Sequence, residues 1–326
     1  MLRDGGRPLS VEQGGQEIDE SPTHAAIGRR REDRLRAALG VRPSTSDSAA
    51  PLSYDPELER LEIELLLEAI YRHYGFDFRS YAYASIRRRL WRRIEAEGLK
   101  TVSALQDGLL HEPAMMERVL LDLSINVTAM FRDPSFYLAF RQKVVPLLRT
   151  YPFIRLWHAG CSTGEEVYSM AILLEEEGLY ERARIYATDI NEVVVHRARA
   201  GIFPLERMQE YTENYIRAGG TRSFSEYYVA KYDGALFSPQ LQRNVVFSQH
   251  NLVTDRSFAE FNVILCRNVL IYFDRALQTR VHGLFHESLV HLGLLCLGSK
   301  ETLRLSEYEG SYEELSGPER IYRKVR

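Results

Sequence analysis

The chain has 326 residues, of which 45% are hydrophobic and 27% charged, with a formal net charge of -3. This composition suits a globular protein of two domains, and a nearly balanced charge means that any electrostatic recognition must be local. No apolar run approaches the roughly 18 uncharged residues of a membrane span, and no apolar signal-peptide core follows Met1. We therefore expect a cytoplasmic protein that is neither exported nor inserted in a membrane.

Three widely spaced cysteines, Cys161, Cys266 and Cys296, make an odd count and show no metal-ligand spacing. This argues against a disulfide framework and predicts no metal site. Cys161 lies in a glycine-containing loop, where we favour a small packing residue over a nucleophilic thiol.

Residues 1–52 are rich in glycine, serine, proline and charge, which predicts a disordered tail with at most a short helix at 29–36. From Asp55 onward apolar residues recur at helical spacing, so we expect a helix that starts near Pro56 and ends at Gly75. The apolar residues that recur at this spacing are Leu58, Leu61, Leu65 and Ala69.

The next predicted helix, 79–97, is strongly basic. Its apolar stripe consists of Tyr83, Ile86, Leu90 and Ile94, and its arginines are Arg87, Arg88, Arg89, Arg92 and Arg93. Such a face is either simply solvated or a docking surface for an acidic partner. Further helices at 102–110 and 114–123 complete a helical domain over 53–125, and a linker with a helix at 136–148 occupies 126–150.

From residue 154 onward, strands alternate with helices. The order is a strand at 154–159, a helix at 165–177, a strand at 185–190 and a helix at 191–200. This order predicts a parallel sheet covered on both sides. Further strands are expected at 245–247, 261–266, 294–297 and 320–325, and residues 227–237 read as a hairpin outside the main sheet.

Three segments place polar residues beside strand ends. Residues 157–169 form a small-residue turn before acidic residues, typical of a nucleotide-type cofactor loop in which Gly160 lets the backbone approach a ligand, although a plain tight turn explains it too. Asp189 ends the next strand and is either a ribose ligand or a helix N-cap. The strand at 261–266 runs directly into Arg267 and Asn268.

The motifs Cys-Ser-Thr-Gly-Glu-Glu at 161–166 and Arg-Asn-Val-Leu-Ile-Tyr-Phe-Asp at 267–274 resemble the CheR-type methyltransferases of bacterial chemotaxis receptors. The segment 126–134 resembles the same family, with Met130 in place of phenylalanine, and Val167 replaces a usual proline. The resemblance extends from about Leu58 to Arg326. It implies an α/β, Rossmann-like methyltransferase domain over 151–326 with a β-subdomain at about 222–243, preceded by an all-α domain.

The resemblance also implies S-adenosylmethionine as cofactor, S-adenosylhomocysteine as product, and a set of site residues. Arg132 and Tyr272 are expected to position the acceptor carboxylate and the methyl group, Glu166 to contact the amino group and Asp189 the ribose. The remaining implied cofactor contacts are Asn126, Thr128, Arg132, Gly160, Asn251, Leu252, Arg267 and Asn268, with Asn251, Leu252, Arg267 and Asn268 on the adenine and ribose side. Asn126 and Thr128 could equally cap backbone.

By the same resemblance, Arg87, Arg88, Arg92 and Arg93 dock a receptor. We therefore expect a monomeric protein-glutamate O-methyltransferase that acts on the cytoplasmic helices of chemoreceptors and binds no nucleic acid. Two alternatives stay open: the same chemistry in a non-motility signalling array, and a non-catalytic regulator that binds the cofactor or, through residues 87–93, nucleic acid.

Overall fold

The computed structural model describes residues 55–124 and 128–326. The predicted tail and Asn126 lie outside these ranges. Within them, no helix is both long and apolar enough to cross a membrane.

The first helices are α1 (Pro56–Tyr74), α2 (Tyr83–Ala96), α3 (Val102–His111) and α4 (Pro113–Leu123). They enclose a hydrophobic core of their own. Helix α1 begins at Pro56, where the Asp55 carboxylate accepts a hydrogen bond from the Glu57 N–H. It ends at Gly75, whose φ of 79° is the left-handed conformation that glycine adopts readily. Both predicted ends of this helix are confirmed.

The apolar residues whose spacing predicted α1 are not the ones that the helix buries. Leu58, Leu61 and Leu65 are about half exposed, at 49%, 52% and 52%. The buried residues of the opposite stripe are Ile63, Leu66, Leu67 and Ile70. Both stripes have helical spacing, so periodicity could not decide which one faces α3. On α2, Tyr83 is likewise 40% exposed, whereas Ile86, Leu90 and Ile94 are buried as expected.

The helix predicted at 136–148 is interrupted by a wider turn. It consists of α5 (Pro134–Ala139), a π-helical segment (Phe140–Val144) and α6 (Val145–Leu148). Phe136, Tyr137 and Phe140 are fully buried against the larger domain. This apolar contact holds the segment that follows residues 128–133 against the larger domain.

The main sheet is mostly parallel and seven-stranded. Its strands are β1 (Ile154–Ala159), β2 (Ala183–Asp189), β6 (Val245–Gln249), β7 (Phe261–Cys266), β8 (Leu289–Leu297), β9 (Tyr312–Ser316) and β10 (Ile321–Lys324). The order is β6-β2-β1-β7-β8-β10-β9, and only β10 pairs antiparallel with its neighbours. Alternate residues of β1 enter separate cores on the two faces, Leu156 on one and Trp157 on the other. The predicted sheet covered on both sides is confirmed.

Helices α7 (Glu165–Glu176) and α8 (Glu192–Ala200) lie on one face of this sheet, and α10 (Arg275–Ser288) lies on the other. A second, three-stranded sheet has the order β3-β5-β4, with strands Ile202–Pro204, Gly234–Phe237 and Tyr228–Lys231. Helix α9 (Met208–Arg217) lies between β3 and β4 in the chain. The expected hairpin is therefore present, whereas β3 and β9 were not predicted.

A buried histidine in α10 is expected to make the protein acid-sensitive. His282 is 2% exposed and neither of its ring nitrogens has a hydrogen-bond partner among the described residues. Burial lowers the pKa of its imidazole to about 4, from 6.5. The unfolded chain therefore takes up a proton first as the pH falls, so the free energy of unfolding should drop between pH 6.5 and 4, by about 3 kcal/mol at most.

Urea unfolding of wild type and His282→Leu at pH 7.5 and 4.5 measures this contribution. The wild type should lose more stability than the variant over this interval. His196→Gln, at an exposed histidine of α8, is the matched control and should behave as wild type. Equal acid destabilisation of wild type and His282→Leu would contradict the prediction.

Candidate active site

The loop after β1 is held against the end of β2. The Gly160 and Cys161 N–H groups both donate to the Thr188 carbonyl, each at 2.8 Å. Gly160 has φ 82°, and a Cβ built there would lie 2.5 Å from the Val269 Cγ2. Glycine is therefore required at 160 by backbone conformation and by a close approach to the segment after β7.

The carboxylate of Asp189, at the end of β2, anchors this loop by hydrogen bonds. It accepts hydrogen bonds from the Ser162 N–H at 2.9 Å and the Asn191 N–H at 3.0 Å. Asp189 is not the N-cap of α8, because that cap is Asn191, whose side chain accepts from the Val193 N–H. Burial raises the pKa of Asp189 although these N–H groups lower it. Asp189 also lines the cleft described below.

A charged network lies beside this loop. Arg267 donates to Glu166 at 2.8 Å and to Asp133 at 2.9 Å, and its guanidinium carbon is 3.9 Å from the ring centre of Phe136. The buried His158 Nδ1 is 3.2 Å from Glu166. Because a carboxylate only accepts, Nδ1 carries the hydrogen.

Electrostatically, this network favours an ionised Glu166. Burial raises the pKa of Glu166, but the charge of Arg267 and the hydrogen bonds from His158 and Arg267 outweigh it and lower the pKa to about 2. The carboxylates of Glu166 and Asp133 face one guanidinium, so these three side chains together carry excess negative charge. Such a site suits a cationic ammonium group.

The contact that the resemblance implies for Arg267, on the adenine and ribose side, stays a prediction. The structure places its guanidinium beside Glu166, the expected contact of the amino group. The reason is that Asp133 and Phe136, which follow the 128–132 segment, hold the guanidinium there. Neither Asp133 nor His158 was singled out from the sequence, because each becomes informative only when its partner is known.

The segment after Arg267 is shaped by its backbone. Asn268 has φ 62°, which asparagine tolerates better than most residues. A 3-10 turn, Leu270–Tyr272, follows. The Tyr272 carbonyl accepts from the Ala82 N–H at 2.8 Å, and the Arg89 guanidinium lies 5.1 Å from the Tyr272 ring centre. The start of α2 thus supports Tyr272.

These elements line one cleft. It brings together every described residue of the predicted catalytic and cofactor set: Thr128, Arg132, Gly160, Glu166, Asp189, Asn251, Leu252, Arg267, Asn268 and Tyr272. Asn126 lies outside the described residues. Tyr81, Ser124 and His250 also line the cleft and were not predicted, since nothing in their local sequence marks them.

Two further observations concern the cysteine beside the cleft and possible metal ligands. Cys161 is buried, and burial raises the pKa of its thiol well above the ordinary value, which agrees with a packing role. Among residues 55–124 and 128–326, no group of three His, Cys, Asp or Glu side chains is arranged to hold a metal ion.

The predicted docking arginines separate into two groups. Arg87, Arg88 and Arg92 are exposed and line a shallow surface depression together with Ala84, Trp91 and Glu95. Arg93 points elsewhere: it donates to Asp122 at 2.6 Å and to Glu97 at 3.0 Å, and its side chain is 17% exposed. The structure therefore does not place Arg93 with the other three, because its ion pair with Asp122 joins α2 to α4.

Comparison with known proteins agrees with this architecture. The family model described as CheR methyltransferase, SAM binding domain, matches residues 126–319, and that described as CheR methyltransferase, all-alpha domain, matches residues 61–124. The Cher3 protein of Pseudomonas putida is 55% identical over 264 residues, which are 81% of this chain and 97% of that protein.

Two more distant relatives extend the comparison. A chemotaxis protein methyltransferase of Listeria innocua is 28% identical over 250 residues, 76% of this chain and 92% of that protein. A 104.1 kDa protein of Rhodobacter capsulatus is 28% identical over 258 residues, 77% of this chain but only 26% of that protein. Since the family models span both the cleft and the helices beside it, the chain belongs to the CheR methyltransferase family, and its cofactor is S-adenosylmethionine.

Proposed function

We propose that the protein methylates glutamate side chains on the cytoplasmic helices of chemoreceptors and produces glutamate methyl esters. The observation that carries this proposal is the composition of one cleft. Arg132 and Tyr272 line it together with Glu166 and Asp189, the predicted contacts of the cofactor. A relative from Listeria innocua bears the name chemotaxis protein methyltransferase, which supports a place in chemotaxis.

The cleft has the donors that such a transfer needs. S-adenosylmethionine supplies a methyl group activated on a sulfonium. A glutamate carboxylate is already ionised at neutral pH, so it would need no general base to act as the nucleophile toward that methyl group. Arg132 offers a planar guanidinium that can orient the incoming carboxylate, and Tyr272 offers a phenol donor. Alignment of the reacting atoms supplies most of the rate enhancement.

The proposal is tested by methyl transfer to chemoreceptor cytoplasmic fragments. The full chain is incubated with methyl-labelled S-adenosylmethionine and a panel of fragments, and the label on each fragment is counted before and after mild base. A base-labile label that disappears when the fragment's glutamates are replaced by glutamine supports glutamate esters. A base-stable label, or no transfer to any fragment, overturns the proposal.

Receptor docking through α2 is expected to depend on salt. Reversing charge with Arg88→Glu and Arg92→Glu should raise the KM for the receptor fragment by roughly tenfold at low ionic strength, because both side chains are exposed and the proposed partner is acidic. The effect should shrink as salt rises, since exposed charges are screened over about 8 Å at physiological ionic strength. Calorimetry should show an unchanged Kd for S-adenosylmethionine.

Arg93→Glu is the matched control on the same helix. Because Arg93 is paired with Asp122 and Glu97, its reversal should lower the melting temperature. A KM that responds neither to salt nor to the double reversal would show that this face of α2 is only solvated. Docking would then be sought at the Tyr228–Lys231 and Gly234–Phe237 hairpin.

A further inference from the structure

Behind the cleft lies a buried carboxylate that the function proposed above does not use. Glu301 follows β8 after a short turn and is 4% exposed. It is not among the residues that line the cleft. The groups that contact its carboxylate are backbone N–H groups of two segments, and none of the described ion pairs includes Glu301.

The hydrogen bonds of Glu301 use both of its oxygens. Oε2 accepts from the Asn268 N–H at 3.0 Å and from the Gly298 N–H at 2.6 Å. Oε1 accepts from the Val269 N–H at 2.8 Å and from the Ile271 N–H at 3.4 Å. A carboxylate has about four lone-pair sites, so this one is saturated by backbone donors. Converging N–H groups of this kind form a concave anion site, here filled from within the chain.

The segment that Glu301 holds is the one that carries three cleft residues. Asn268, with its left-handed backbone, and Tyr272 line the cleft directly. Val269 lines it too and is the residue that approaches Gly160. Movement of this segment would therefore displace a proposed cofactor contact and the proposed phenol donor together.

We propose that Glu301 is a positioning residue for methyl transfer, which fixes Asn268, Val269 and Tyr272 by accepting the N–H groups of their segment. The kinetic part of this inference rests on the function proposed above. Burial raises the pKa of the Glu301 carboxyl, although the backbone N–H groups lower it. Gly298 belongs to the same arrangement, because a Cβ there would lie 2.7 Å from the Asn268 nitrogen and 2.8 Å from Glu301 Oε2.

Glu301→Gln in the full chain is the direct test. An amide has the same shape, but its NH₂ group would face backbone N–H donors and cannot accept hydrogen bonds from them. Hydrogen exchange of the 267–272 amides should speed up by roughly tenfold or more, and kcat should fall by about tenfold or more in the folded protein. Glu309→Gln is the matched control, since the exposed Glu309 carboxylate also accepts one backbone N–H, from Leu305 at 2.9 Å. It should leave exchange at 267–272 and kcat unchanged.

The exchange rates and calorimetry with S-adenosylmethionine do not depend on which acceptor is methylated. If the wild type transfers no methyl group, faster exchange and weaker cofactor binding in Glu301→Gln still support positioning. A folded variant with unchanged exchange, or with faster exchange but unchanged kcat and cofactor affinity, overturns it.

A purely structural role would lower the melting temperature without changing kcat per folded molecule. If Glu301→Gln does not fold, Gly298→Ala decides, because it retains the carboxylate and crowds the same N–H groups. Faster exchange at 267–272 with a lower kcat in that variant supports the proposal, and unchanged kcat overturns it. Failure of both variants to fold would show that the arrangement of Gly298, Glu301 and the 268–271 N–H groups is needed for folding, and would also overturn the proposal.

Discussion

Arg132→Ala is expected to lower kcat for methyl transfer by roughly 100-fold while the Kd for S-adenosylmethionine changes by less than about threefold. Arg132 lines the cleft next to the charged network, where its carbonyl lies 3.5 Å from both terminal nitrogens of Arg267. Its proposed task is to orient the acceptor carboxylate, which matters most in the transition state. Single-turnover methyl transfer measures the first quantity and calorimetry the second.

Two conservative variants sharpen this test. Arg132→Lys keeps the charge but loses the planar pair of donors, so an intermediate kcat is expected. Tyr272→Phe removes the phenol while keeping the ring that contacts Arg89, and should lower kcat by about tenfold. If Arg132→Ala and Tyr272→Phe weaken cofactor binding as much as they lower kcat, positioning of the acceptor carboxylate and the methyl group is not the main role of these residues.

Asp189→Ala should raise the Kd for S-adenosylmethionine by roughly tenfold or more. One cause is the loss of a charge-assisted hydrogen bond to the ribose, since about 1.4 kcal/mol corresponds to a factor of ten. A second cause is loss of the anchor that receives the Ser162 N–H and so shapes the loop after β1. Because burial raises the pKa of this carboxyl, affinity should also weaken with falling pH at a higher pH than for an exposed aspartate.

Calorimetry over a pH series tests this prediction. Asp189→Asn retains one oxygen acceptor and should abolish the pH dependence that comes from this group. Asn191→Ala is the neighbouring control: it removes the cap of α8 and should cost about 1 kcal/mol of stability without changing the Kd. An unchanged Kd in folded Asp189→Ala would exclude Asp189 from the cofactor site.

Local patterns in the sequence were sufficient to predict where several strands and helices begin and end. The apolar runs of β1 and β7 predict Ile154–Ala159 and Phe261–Cys266 at the bounds that the structure has. Pro56 and Gly75 mark the ends of α1, because their backbone preferences act within one turn. Polar residues directly after parallel strands predicted one shared cleft, since such strands end at the same edge of a sheet.

Other features depend on neighbours distant in the chain. Helix α1 has two leucine-rich stripes, and only its packing against α3 selects the one with Ile63 and Leu66. In the same way, the ion pair with Asp122 directs Arg93 away from the arginine face of α2, and the ion pair with Asp133 holds Arg267 beside Glu166. In each case the local sequence is equally compatible with another pairing, so it does not decide which pairing forms.

The sequence by itself determined the order of most strands and helices, the family and the residues gathered at the strand ends. These depend on residue identity and spacing within a few turns, where backbone preference and hydrophobic periodicity dominate. Only the tertiary structure decided which faces are buried and which charges are paired. It also showed that Glu301, 30 or more residues from Asn268, Val269 and Ile271, receives the N–H groups of that cleft segment. Burial and ion pairing are set by contacts between remote segments, which no local pattern encodes.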